Sequence, residues 1–188
     1  TLNKIVKTFQ IGLFLSLGLL LTGILVTRPR FVLLLLFSND FVTMALATDR
    51  VTFSPKPDRW NVRSLVSSAL VLASAWLVFS FGVLFVGYSV LHLDHARLQT
   101  LIFVMLVFSG QANVYLVRER RHFWNSMPSL WLMLSTAVDM IIVNLLATQG
   151  ILMSAISLTQ VAGLLSSIVF CMAGLDYVKV AAFKIFNT

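Results

Sequence analysis

The sequence predicts an all-α membrane protein, a bundle of six transmembrane helices joined by short loops. Three observations carry that prediction. Of 188 residues, 59% are hydrophobic and only 11% are charged, against about 25% charged in an ordinary soluble domain. Mean hydropathy is +0.93. The apolar residues fall into six runs of 18 residues or more, each long enough to cross a bilayer as a helix. Strands fit poorly, because a membrane barrel needs alternating segments of about ten residues.

The six spans are predicted at 8–26, 31–48, 64–91, 98–117, 129–149 and 156–175. The first carries no charge, and Gly12, Gly18 and Gly23 within it predict close helix packing. Thr27-Arg28-Pro29-Arg30 is a tight link, with Pro29 either starting the second helix or ending the turn. The second span contains one charge, Asp40, near its midpoint. A long polar loop follows over 49–63, holding Pro55 and Pro57. The third and fourth spans are uncharged and are separated by His92, Asp94, His95 and Arg97. A second long polar loop occupies 118–128, with Trp124 and Trp131 at headgroup level. The fifth span is interrupted only by Asp139, and a short interfacial loop near Gly150 leads into the sixth. Thr1 rather than Met opens the chain, with no signal-peptide pattern ahead of the first run, so a piece of a longer chain is expected.

The net charge of +7 and a pI near 10.2 do not point to nucleic acid, because the charges lie between apolar runs, as topology signals do. Six spans place both termini on one side. Lys4, Lys7, Arg50, Lys56, Arg59, Arg63, Arg118, Arg120, Arg121, Lys179 and Lys184 share that side, leaving only Arg28, Arg30 and Arg97 opposite. The positive-inside rule therefore predicts cytoplasmic termini and cytoplasmic loops at 49–63 and 118–128. Cys171 is the single cysteine and lies within an apolar run, so neither a disulfide nor a cysteine-pair metal site is expected. No metal site is assigned to His92 and His95, whose spacing does not bring enough ligands together.

Asp40 is the main functional candidate. A carboxylate at that depth costs about 2.5–3.5 kcal/mol on insertion scales and is expected to face the bundle or a wet cavity. Leu36, Asp40, Thr43 and Ala47 share a helical face, with Asn39 alongside. An acid with amide and hydroxyl neighbours suits proton uptake and release, or a small cation site; a structural, hydrogen-bonded acid is the alternative. Asp139 is a secondary candidate, with Ser135 and Thr136 one turn before it and Asn144 in the same span. It reads equally as an interhelical hydrogen-bonding acid. Ser109, Gln111 and Asn113 form a polar patch that either lines an ion path or ties helices together.

The segment FSNDFVTMALATDRVTFSPKPDRWNV resembles the sixth membrane helix and following cytoplasmic loop of P-type ATPases, closest to their plasma-membrane proton-pump branch. The matching elements are Asn39-Asp40, Thr43-Met44, Asp49-Arg50-Val51, and Ser54 through Pro57-Asp58-Arg59-Trp60. VRERRHFWNSMP resembles that family's arginine-rich loop between helices eight and nine, and LDYVKVAAFKIF its L-D-x-x-K ending after helix ten. The resemblance implies that the six spans are helices five to ten, the C-terminal transmembrane region of such a pump. It also implies that Asp40 accepts and donates the transported proton or cation, with Asn39 orienting it and Thr43 beside it. Asp139, Gln111 and Asn113 are possible secondary transport residues.

Two departures from the family pattern stand out. Phe41 occupies a position where glycine is frequent, and the first span holds only Gln10 and Ser16 where those pumps carry a cation. The chain contains no D-K-T-G-T, T-G-E or G-D-G-x-N-D, so this chain alone is not expected to hydrolyse ATP. The resemblance implies a parent pump that uses ATP and Mg2+ through actuator, phosphorylation and nucleotide domains, with further N-terminal membrane helices, in the plasma membrane. A pump for another cation, or a stand-alone six-helix permease or scaffold, are the alternative readings.

Overall fold

A computed structural model describes residues 2–23, 25–46, 62–119 and 121–186. The described residues form six α-helices and no strand: α1 Leu2–Thr22, α2 Pro29–Leu46, α3 Val62–Phe85, α4 His95–Arg118, α5 Leu130–Gln149 and α6 Leu158–Phe186. A π-helical turn at Val86–Val90 continues α3, and a short 3-10 turn at Phe123–Asn125 lies in the α4–α5 loop. Five of the helices are long and apolar enough to span a membrane; α2 is the sixth, interrupted by the polar run Ser38-Asn39-Asp40. The D-R-V and S-x-x-P elements of the 49–63 loop lie outside the described residues.

Local chemistry sets the helix ends. Gly23, at φ 67°, turns the chain out of α1 while its N–H still reaches the Leu19 carbonyl at 2.8 Å. Ser129 caps α5 by accepting from the Leu132 N–H, and Gly150 closes it at φ 72° with Ile151 N–H on the Leu146 carbonyl. None of the three glycines expected to pack helices closely meets another helix: a Cβ at Gly18 would lie 2.6 Å from Cγ2 of Val26, in the link that follows α1. Gly12 meets no neighbour, and Gly23 serves the turn.

The central helix is α4. Leu98 through Gln111 is buried without a break, because α1, α2, α3, α5 and α6 all pack on it. The outer helices instead leave large apolar side chains uncovered, among them Leu20 at 78%, Met44 at 74% and Phe170 at 84% exposure. Such a continuous apolar exterior suits a lipid solvent and no aqueous one.

Polar residues stitch the interior. Trp76 of α3 donates to Asn113 of α4 at 3.2 Å, and Asn113 donates to Asn3 of α1 at 2.7 Å. Gln10 of α1 donates to Ser80 and Ser109 at 3.1 and 3.2 Å. Near the C-terminus of α4, Lys179 and Asp176 of α6 are fully buried and 2.7 Å apart. Lys179 also donates to the Leu116 carbonyl at 2.9 Å. Asp176 accepts from the Phe123 N–H at 3.1 Å and lies 2.5 Å from His122 Nδ1, whose ring stacks on Trp124. The arginine-rich loop and the L-D-x-x-K segment thus form one clasp.

Candidate functional site

Successive helical residues point about 100° apart, so Ser38, Asn39 and Asp40 diverge from one point on α2. Asn39 is 9% exposed and accepts a hydrogen bond from Lys7 Nζ of α1 at 2.9 Å. Ser38, also buried, donates to Asp139 of α5 at 2.6 Å. Asp40 is exposed on the outer face of the bundle, beside the exposed Phe37, Phe41 and Met44. The expectation that Asp40 faces the interior of these helices is not met. The two residues before it take the interior directions, and its own side of α2 is uncovered by any described helix. Thr43 is half-buried and its hydroxyl donates to the Asn39 carbonyl one turn back at 2.7 Å, so it serves its own helix.

Lys7 is the residue that sequence reasoning missed. Its place ahead of the first uncharged run predicts a cytoplasmic cation, yet α1 begins at Leu2 and buries Lys7 to 7% exposure. Asp139 and Asp40 both lie within electrostatic reach of its ammonium. The reason is helical register: Asn3, Lys7, Gln10, Phe14 and Gly18 form one buried stripe facing α3 and α4. Gly110 of α4 makes room for the pair, since a Cβ there would stand 3.0 Å from Asn39 Oδ1 and 3.2 Å from Lys7 Cε. The cation absent from the inner part of the first span is therefore present one turn earlier.

Asp139 is buried and accepts from Ser38 and from Gln111 Nε2 of α4 through the same oxygen, Oδ2. It joins α5 to α2 and α4. Gln111 Oε1 and Asn144 Oδ1 are buried without a partner among the described residues. Asn113 is committed to Trp76 and Asn3, away from Asp40. Tyr115 adds a 3.0 Å bond to Thr136. His95 engages Gln99 rather than His92, and no three His, Cys, Asp or Glu side chains converge among the described residues. The site therefore has one ammonium, the Asn39 and Gln111 amides and two carboxylates, of which Asp139 accepts from neutral donors.

No family model matches the chain. Over 154 residues, 81% of its length, it is 30% identical to a Methanocaldococcus jannaschii protein described provisionally as a cation-transporting ATPase. It is 26% identical to the plasma membrane ATPase of Kluyveromyces lactis and 27% identical to plasma membrane ATPase 1 of Candida albicans, each over 77% of the chain. The chain spans less than a fifth of the length of these relatives, 19% of the first and 16% of the other two. The resemblance read from Asn39-Asp40 and the two other motifs is thus accompanied by a similarity to plasma membrane ATPases and to one ATPase described provisionally as cation-transporting, along most of the chain.

Proposed function

We infer that this chain belongs to the P-type cation-transporting ATPases and forms the membrane part through which the cation passes, with the proton as the transported ion. The relatives support the membrane part of a cation pump. The observation that supports the proton is the Lys7 ammonium on Asn39, one residue from Asp40. Hard divalent cations call for several oxygen ligands carrying more than one negative charge. A resident ammonium beside a single free carboxylate opposes such a site and suits an ion that needs one acceptor only.

The mechanism follows from charge compensation. With Lys7 held on Asn39, the Asp40 carboxyl is free to take up a proton. When the proton leaves, approach of the tethered ammonium compensates the remaining negative charge without any incoming ion. Helix movement that alternates these two arrangements is driven by ATP and Mg2+ acting on cytoplasmic domains outside this chain. The exposed face of α2 around Asp40 is where the pump's remaining membrane helices belong. Both termini lie in the cytoplasm, on the side that holds nine of the twelve lysines and arginines other than the buried Lys7 and Lys179, and the membrane is the plasma membrane.

A second reading, transport of a monovalent metal cation, is favoured by Asp139 together with the unpartnered Gln111 oxygen. Transport by the full-length protein in sealed vesicles, with pH and Na+, K+ and Ca2+ varied separately, decides between them. The proton reading expects ATP-driven acidification that persists when each metal cation is withdrawn in turn. Strict dependence on one of them would overturn the proton and favour the second reading.

A further inference from the structure

At the end of the bundle away from the N-terminus of α1, the ends of α1 and α3 and the start of α4 enclose a cleft of about 760 Å³. Its walls are chiefly apolar, with Leu21, Val26, Phe81, Leu84 and Phe85 among them. Its polar groups gather at one point. Gln99, 3% exposed, accepts from Arg28 Nε at 2.9 Å and donates to the Leu25 carbonyl at 2.8 Å. His95 Nε2 completes the group, 3.0 Å from the same amide nitrogen. A buried amide thereby fixes an exposed guanidinium at the rim. Neither Nη group of Arg28 makes a hydrogen bond to the described residues, so both remain as donors.

The charge at this end is mainly cationic: Arg28, Arg30 and Arg97 stand against Asp94. Asp94 precedes α4 without forming a side-chain cap. The planar guanidinium fork matches a phosphate better than a point charge does. A small soluble anion would satisfy the fork and leave the apolar walls unfilled. An apolar chain alone would fill the walls and leave the fork unused.

We propose that this cleft binds a phospholipid, its phosphate on the Nη groups of Arg28 and one acyl chain along the apolar walls. The site is separate from the Asp40 region and holds whichever ion is carried.

Native mass spectrometry of the full-length protein, with phosphatidylglycerol as the added probe, tests the proposal. Thr22 lines the cleft and is exposed, so Thr22→Trp fills it without entering the core. Arg28→Ala removes the fork, and Arg97→Ala removes a cation from the same end as a control. Phosphatidylglycerol retention is expected to fall about tenfold in Thr22→Trp and in Arg28→Ala, and to stay at the wild-type level in Arg97→Ala. Undiminished retention in Thr22→Trp would overturn the proposal, because the acyl chain then lies elsewhere. Equal losses in Arg28→Ala and Arg97→Ala would also overturn it, reducing the effect to general surface charge.

Discussion

Lys7 of α1 is bonded to Asn39 of α2, the residue before Asp40, and the chemistry of Lys7 and Asp40 is a matter of single atoms. A lysine ammonium is a compact charge on a flexible stem, whereas a guanidinium is larger and planar. Gly110 leaves space for the former, with 3.5 Å between its would-be Cβ and Lys7 Nζ. Lys7→Met is therefore expected to lower ATP-driven transport at least about tenfold, the loss of one charge-assisted interaction, while the protein still inserts. Lys7→Arg should recover only part of it. Full transport in Lys7→Met would remove Lys7 from the mechanism. The residue was hidden in the sequence because it directly precedes an uncharged run, where a lysine ordinarily marks the aqueous edge. The signal that finds it is the spacing Asn3, Lys7, Gln10, Phe14, which continues the helical stripe through the supposed edge. Asp40 was legible from its depth alone, but its direction was not. Three polar residues in a row leave open which of them turn inward.

Among the elements, α5 is held to its neighbours by a polar bond near its middle, from Asp139 to Ser38 and Gln111. If that acid is a tie rather than a carrier, Asp139→Asn keeps an acceptor oxygen for the same donors. Transport near the wild-type rate is then expected, with stability lowered by about 1 kcal/mol. A folded but inactive Asp139→Asn would instead support the second-cation reading. The number and type of the helices could be read from the apolar runs, since each run reaches the roughly 17–25 residues a membrane-crossing helix needs. Their ends could not. α1 stops at Thr22, four residues short of the predicted 26, because Gly23 takes a left-handed turn. α6 runs on to Phe186 because Asp176 and Lys179 neutralise each other inside the protein instead of marking an aqueous boundary.

At the scale of the whole molecule, two distant segments meet where Asp176 and Lys179 close on the 118–128 loop. Removing one member of a fully buried pair strands the other, typically at a cost of about 3–5 kcal/mol. Lys179→Met is thus expected to lower the melting temperature of the full-length protein markedly, and Asp176→Asn combined with it should restore part of the loss. An unchanged melting temperature in Lys179→Met would show that the clasp carries no stability. The motif segments were visible in the sequence, but their meeting depends on which helices are neighbours, and apolar runs do not specify that. The same limit applied to Asp40, whose face of α2 is exposed and bears large apolar side chains, Leu36, Phe37, Phe41 and Met44 among them. Transport joins all these scales, and the central claim is that one carboxylate carries the ion. The most direct measurement is ATP-driven acidification of sealed vesicles containing the full-length Asp40→Asn protein, with insertion and folding verified alongside. The account predicts intact insertion and no acidification; acidification at the wild-type rate would contradict it.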